Sequence, residues 1–218
     1  MLVLAIDTSS AAVTAAVVEV DDAVRALAQR VTVDARAHGE RLAPSIAECL
    51  AEAGAKPAGL GAIVAGVGPG PFTGLRVGLV TAAAMSDALG VPAYGVCSLD
   101  GIAGALDERA LLVAGDARRR EVFWARYVDG ARVDGPRVHR PVEVSTVDST
   151  AMAGAGARLY ADVLALPLRD VDYPDPAALV RAAVVRLRTP AAPDPLTPLY
   201  LRRPDAAEPH RPKAVSRP

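Results

Sequence analysis

Two short stretches of this chain begin with an aspartate at the end of an apolar run, the pattern from which phosphate and metal chemistry is often built. Asp7-Thr8-Ser9-Ser10 follows the run Leu2–Ile6. A carboxylate there, with hydroxyls on the next turn, can hold a metal-bound water and phosphate oxygens. The same residues can also close an Asx or Ser turn on their own backbone. Asp116-Ala117-Arg118-Arg119-Arg120-Glu121 places a second aspartate in the matching position later in the chain. A turn that closes on a phosphate needs glycine after the aspartate, so that the backbone can come close. Ala117 and Arg118 stand there instead. The three arginines suit nucleic-acid phosphates or a partner's acids, and equally a solvated hairpin end.

The third stretch runs from Gly66 to Gly78, GVGPGPFTGLRVG. Gly68, Pro69, Gly70, Phe72, Thr73, Gly74 and Arg76 give it a backbone path fixed by glycine and proline. It sits where phosphate loops sit, between a strand and a helix. No Lys-Ser/Thr pair follows Gly74, and GxGxxG is absent, so neither nucleotide motif is present. A rigid turn that lets strand and helix pack closely is the plainer reading. Gly74, Gly78 and Ala82 recur at helical spacing and make one smooth face, open to the chain's own sheet or to a helix of another subunit. His38, His139 and His210 have no metal-ligand spacing. HxxxH, HExxH and GxSxG do not occur.

The elements that must position these residues are legible in part. Leu2–Ile6, Ala12–Val20 and Val24–Val33 read as strands joined by tight turns, an antiparallel meander. From Glu40 the period changes. Leu42, Ile46, Cys49, Leu50 and Ala53 share a helix face, with Pro44 expected in the first turn and Gly54 as the stop. A strand Gly61–Gly66, the loop Gly68–Gly74, a helix Leu75–Leu89, a strand Val91–Val96 and a short helix from Ser98 follow. The order βββ-α-β-α-β-α predicts a mixed sheet of the ribonuclease-H-like kind. A second β start near residue 110 (Leu111–Ala114, Val122–Val128 and Arg132–Val138, with a hairpin turn at Asp129-Gly130) predicts a degenerate second copy. Ala177–Leu187 reads as a helix. The stretch 203–218, rich in proline and charge, is expected to be a disordered tail.

Composition narrows the function classes. The chain has 218 residues, with 24 Lys+Arg against 25 Asp+Glu and 51% hydrophobic residues. That supplies a core without disulfides or metals and excludes disorder throughout. The balanced charge argues against a freestanding nucleic-acid binder. Cys49 and Cys97 form neither a zinc motif nor a disulfide framework, which fits a reduced cytosol. MLVLAIDTSS has no basic n-region, so a cytoplasmic location without a signal peptide is expected. The uncharged run 57–75 is broken by Pro57, Pro69 and Pro71 and does not read as a membrane helix.

The pieces LAIDTSS (4–10), HGERLAP (38–44), GVGPGPFTGLRVG (66–78), GVCSLDGIA (95–103), DARRREVFWARY (116–127) and PLYLR (198–202) resemble, in order, the TsaB (YeaZ) family. Pro71 stands where that family usually has serine. The resemblance implies the ASKHA fold of actin, Hsp70 and sugar kinases, with two ribonuclease-H-like halves. The division expected is an N-terminal domain 1–105, a smaller C-terminal domain 106–202 and a tail 203–218. It also implies a non-catalytic scaffold for tRNA threonylcarbamoyladenosine formation. That scaffold pairs with the catalytic paralogue TsaD, is joined by the ATPase TsaE, and meets tRNA only through the complex. A homodimer of the isolated chain is left open. The HxxxH of TsaD is absent here, as it is from TsaB. No cofactor is expected, and ATP weakly if at all, with Asp7, Ser9 and Asp116 as vestigial phosphate-loop positions. The partner surface is expected on helices 40–53 and 75–89, at Leu42, Ile46, Leu50, Leu75, Gly78 and Ala82. On that placement Gly78→Leu would abolish pairing and leave the monomer folded. An independent ATP-dependent small-molecule kinase of the same fold, a peptidase and a general interaction module are the competing readings.

Overall fold

The computed structural model describes residues 1–189 and 195–202. Its first layer is a five-stranded sheet made from Leu2–Asp7 (β1), Ala12–Val20 (β2), Val24–Val33 (β3), Leu60–Gly66 (β4) and Ala93–Val96 (β5). The strand order is β3-β2-β1-β4-β5. β1, β2 and β3 pair antiparallel, while β4 joins β1 and β5 joins β4 in parallel. The mixed sheet predicted from the element order is present. β1 is central and buried on both faces, which is why its sequence is continuously apolar. Successive side chains alternate. Leu4 and Ile6 face His38–Glu52 (α1) and Phe72–Leu89 (α2), while Val3 and Ala5 face Pro176–Arg188 (α6).

Helix boundaries follow local chemistry. α1 stops at Gly54, whose φ of +62° suits glycine. There the N–H groups of Gly54 and Ala55 reach back to the carbonyls of Ala51 and Leu50 at 3.1 and 2.9 Å. α1 begins at His38, so Pro44 lies in the second turn, not the first. The carbonyl that its ring leaves without an N–H is that of exposed Glu40, where water can substitute. α2 begins at Phe72, three residues before the expected start. α6 starts on Asp175, whose carboxylate accepts from the Ala178 N–H at 2.7 Å, with Pro176 next.

Ser98–Ala103 (α3) leads to the second layer, made from Ala110–Asp116 (β6), Val122–Val128 (β7), Ala131–His139 (β8) and Ala151–Ala153 (β9). Its order is β8-β7-β6-β9, with β6 and β9 parallel and the other pairs antiparallel. This repeats four of the five positions of the first sheet. Only a single 3-10 turn, Pro141–Glu143, stands where α1 stands in the first half. Ala155–Leu159 (α4) and Ala161–Leu164 (α5) are short.

The expected division at 105/106 needs correction at its far end. α6 packs Leu179, Val180 and Ala183 on the first sheet, and Leu196 and Leu199 also pack on first-half residues. α6 and Leu196 therefore return to the first half, while Leu199 packs on both halves. The expected tail at 203–218 lies outside the described residues.

Candidate functional site

The turn after β1 is closed on itself. Asp7 is buried. Its Oδ1 accepts from the Ser9 N–H at 2.9 Å and the Ser9 hydroxyl at 2.8 Å, and its Oδ2 accepts from the Ser98 hydroxyl at 2.5 Å. Ser98 Oγ in turn accepts from the Gly68 N–H at 3.1 Å. Burial pushes the Asp7 carboxyl above its usual range, against the lowering effect of these hydrogen bonds. A Cβ on Gly66 would lie 1.7 Å from Asp7 Oδ2, so only glycine lets β4 pass the carboxylate. Both oxygens are therefore occupied within the protein. Sequence reasoning placed Asp7 and Ser9 together but missed Ser98, whose hydroxyl is brought back only by the β5–α3 turn.

Thr8 holds the next part. Its hydroxyl donates to the Gly74 carbonyl at 2.7 Å and accepts from the Gly78 N–H at 2.9 Å. Those two backbone groups are four residues apart and ordinarily bond each other in a helix. The smooth face of Gly74, Gly78 and Ala82 thus serves the chain's own β1 turn, because a Cβ on Gly78 would lie 2.5 Å from Thr8 Oγ1. His38 Nε2 adds a hydrogen bond to the Ser10 carbonyl at 2.8 Å. Pro69 and Pro71 line the cavity described below, whereas Phe72, Thr73 and Arg76 are exposed.

The six residues expected at a partner surface are turned inward. Leu42, Ile46, Leu50, Leu75, Gly78 and Ala82 are all buried between α1, α2 and the first sheet. The expectation that Gly78→Leu spares the monomer is corrected accordingly. The faces of α1 and α2 open to solvent carry Ala43, Ala47 and Ala51 on the first helix and Val80, Ala83 and Ala84 on the second.

The second turn repeats the aspartate contact of the first but neither its backbone path nor its surroundings. Asp116 Oδ1 accepts from the Arg118 N–H at 2.8 Å, and Oδ2 lies 3.4 Å from Arg118 Nη1. Ala117 is buried where a glycine was required for a phosphate. Arg118, Arg119 and Arg120 all take left-handed backbone, at φ of +63°, +51° and +62°, which is costly for residues with a Cβ.

Between the halves lies a cavity of about 270 Å3, lined by Ser9, Pro69, Ser98 and Leu99 on one side and Asp116, Arg118 and Phe123 on the other. The halves are tied behind it by the Tyr127 hydroxyl, which donates to Asp100 Oδ1 at 2.8 Å, and by Arg132 Nε, 3.4 Å from the same oxygen. Burial raises the Asp100 carboxyl and pushes the neighbouring Cys97 thiol up to about 12, so that thiol stays protonated at neutral pH. Among the described residues, no three His, Cys, Asp or Glu side chains gather to hold a metal, and no helix is long and apolar enough to cross a membrane.

The chain is similar to several known proteins. The family model described as TsaD, tRNA N6-adenosine threonylcarbamoyltransferase, matches residues 27–152. An uncharacterized protein of Mycobacterium tuberculosis is 54% identical over 204 residues, covering 94% of this chain and 93% of that one. The tRNA threonylcarbamoyladenosine biosynthesis protein TsaB of Escherichia coli is 34% identical over 131 residues, covering 58% of this chain and 55% of that protein. YeaZ from Pseudomonas aeruginosa superposes with a TM-score of 0.73 at 28% identity, over 85% of this chain and 94% of that one. The architecture is that of the ASKHA fold, with the second half reduced.

Proposed function

We propose that this chain, which belongs to the TsaB (YeaZ) family within the wider TsaD group, takes part in tRNA threonylcarbamoyladenosine biosynthesis as a non-catalytic subunit that pairs with a TsaD partner. The observation that carries the non-catalytic part is the state of Asp7. A carboxylate whose two oxygens accept three internal hydrogen bonds is spent on holding the turn. The other phosphate-loop position, Asp116, is followed by buried Ala117 rather than glycine. The residues present do not fit a nucleoside triphosphate. ATP binds this chain weakly if at all. Micromolar affinity with hydrolysis by the isolated chain would sink the proposal.

The pairing surface is the outer side of α1 and α2, on the helices expected from sequence but on their opposite faces. Val80 is 61% exposed and shares its helix face with exposed Ala83 and Ala84, and contiguous exposed apolar surface of this kind is what marks an interaction site. Val80→Arg is expected to weaken pairing with TsaD about tenfold or more, with no change in the monomer's melting temperature. TsaE joins the same assembly in this reading.

The deciding experiment is threonylcarbamoylation of tRNA by the cognate TsaD and TsaE, with the activated threonylcarbamoyl intermediate supplied, with and without this chain. Dependence on the chain, together with no turnover of ATP or intermediate by the chain alone, is the expected result. Equal modification without it overturns the reading.

A further inference from the structure

Phe72 and Tyr200 are the two most exposed aromatic rings among the described residues, at 51% and 42%. They are not scattered. Their ring centroids lie 5.1 Å apart with planes tilted by 33°, and the Arg76 guanidinium sits 5.0 Å from the Phe72 centroid. Phe72 opens α2, whereas Tyr200 comes from the segment 195–202. That segment is fixed beside the loop after β4 by the Leu199 N–H, which donates to the Val67 carbonyl at 2.8 Å.

The same segment reaches the arginine turn. Arg202 Nη1 donates to the Ala117 carbonyl at 3.1 Å, and its Nε lies 3.5 Å from the Glu121 carboxylate. Tyr200 and Arg202 are two residues apart, so at most about 7 Å of chain separates their Cα atoms. One strap therefore joins an exposed aromatic platform to Arg118, Arg119 and Arg120. Arg76, Arg118, Arg119, Arg120 and Arg202 are gathered along this rim, with Arg118 paired to Asp116 and Arg202 to Glu121.

We propose that this rim binds single-stranded RNA directly, with an unstacked base on the Phe72–Tyr200 platform and neighbouring phosphates on the arginine turn. Stacking surfaces beside cationic side chains are how proteins hold unpaired nucleotides. A phosphorylated peptide has use for the arginines and none for two stacked rings, which favours a nucleic acid. The choice of RNA rests on the function proposed above, and it departs from the expectation that tRNA meets this chain only through its partner. The balanced net charge noted earlier concerns the whole molecule, whereas these arginines are gathered in one place.

The test is fluorescence anisotropy of a short labelled single-stranded RNA with the full-length chain, over a series of salt concentrations. Saturable binding at low salt is expected. Tyr200→Ala should weaken it about tenfold, and Tyr200→Phe should retain it. Arg119→Ala with Arg120→Ala should weaken it and lower the log–log salt slope by about 1.4, the value for two phosphate contacts on a single strand. A clip that merely fastens the strap would not move that slope. Phe72→Ala, on the outermost ring, serves if the Tyr200 variant melts early. Absence of saturable binding, or binding unchanged by every variant, overturns the site. So does displacement by a phosphorylated peptide with no dependence on either ring, which would make it a protein contact. If the chain binds RNA but threonylcarbamoylation does not need the chain, the site stands and the proposed function falls. If modification needs the chain and the chain binds no RNA, only the site falls.

Discussion

At the end of β1 and at the end of β6 the chain makes the same first contact, in which an aspartate Oδ1 accepts the N–H two residues on, at 2.9 Å from Ser9 and 2.8 Å from Arg118. Around Asp7 the turn is walled by Gly66 and Ser98, and no oxygen is left over. Around Asp116 the equivalent wall is missing. Among the described residues, no fifth strand and no helix like α3 follow β9 in the second sheet. The side chain keeps 26% of its exposure and pairs with Arg118. One shared aspartate contact thus belongs to a structural pivot in one half and to an open rim, with left-handed backbone at Arg118, Arg119 and Arg120, in the other. What separates them is the number of elements each sheet retains.

The strongest way to break this comparison is Gly66→Ala. Its Cβ would lie 1.7 Å from Asp7 Oδ2 and 2.7 Å from Ser98 Oγ. We expect no cooperative unfolding transition by circular dichroism, and a normal melt would mean that the wall around Asp7 is far looser than described. Next comes the paired substitution at the two aspartates. Asp7→Ala strands the Ser9 N–H and the Ser98 hydroxyl in the interior and should cost about 3–5 kcal/mol in urea unfolding. Asp116→Ala loses a partly exposed contact and should cost less than about 1 kcal/mol. Equal losses would erase the distinction between the halves.

Gly78→Ala sharpens the same contrast from the helix side. It forces Thr8 Oγ1 away from a Cβ 2.5 Å distant and should cost about 2–3 kcal/mol, read as a lower midpoint with an unchanged denaturant slope. The smallest effect is in pH dependence. Burial raises the folded-state pKa of Asp7 above its model-peptide value of 3.8. Its favourable contribution is complete below that unfolded value and is lost as pH rises through the folded one. Wild-type stability relative to Asp7→Asn should therefore decline as pH climbs above about 4. A difference that instead grows with pH would reverse the assigned shift.

Much of this was readable before any coordinates. β2, β3 and β7 have the boundaries that their apolar patterns predict, and Gly54 and Gly90 end their helices at φ of +62° and +65°. β9, of three residues, and α4, of five, are too short to show a period. The inward face of α2 was misassigned for a specific reason. Leu75, Leu79 and Ala82 point in, while Val80, Ala83 and Ala84 point out, so the helix is apolar nearly all round and periodicity cannot choose a side. Ser98 and Tyr200 were out of reach because each acquires its role only from residues far away in the chain, Asp7 and Phe72 respectively.

The return of α6 to the first sheet sets the order in which the protein can be completed on the ribosome. Val3, Ala5, Ala16, Val18 and Val64 emerge early, yet the side chains that cover them, Leu179, Val180 and Ala183, emerge only after the whole second sheet has been made. Synthesis proceeds from the other end, at roughly 5–20 residues per second. For most of that interval the first sheet has helices on one face and bare hydrocarbon on the other. The amino-terminal half is thus no independent folding module despite its complete strand order. It waits for α6, and that waiting period is when chaperones have the most to bind.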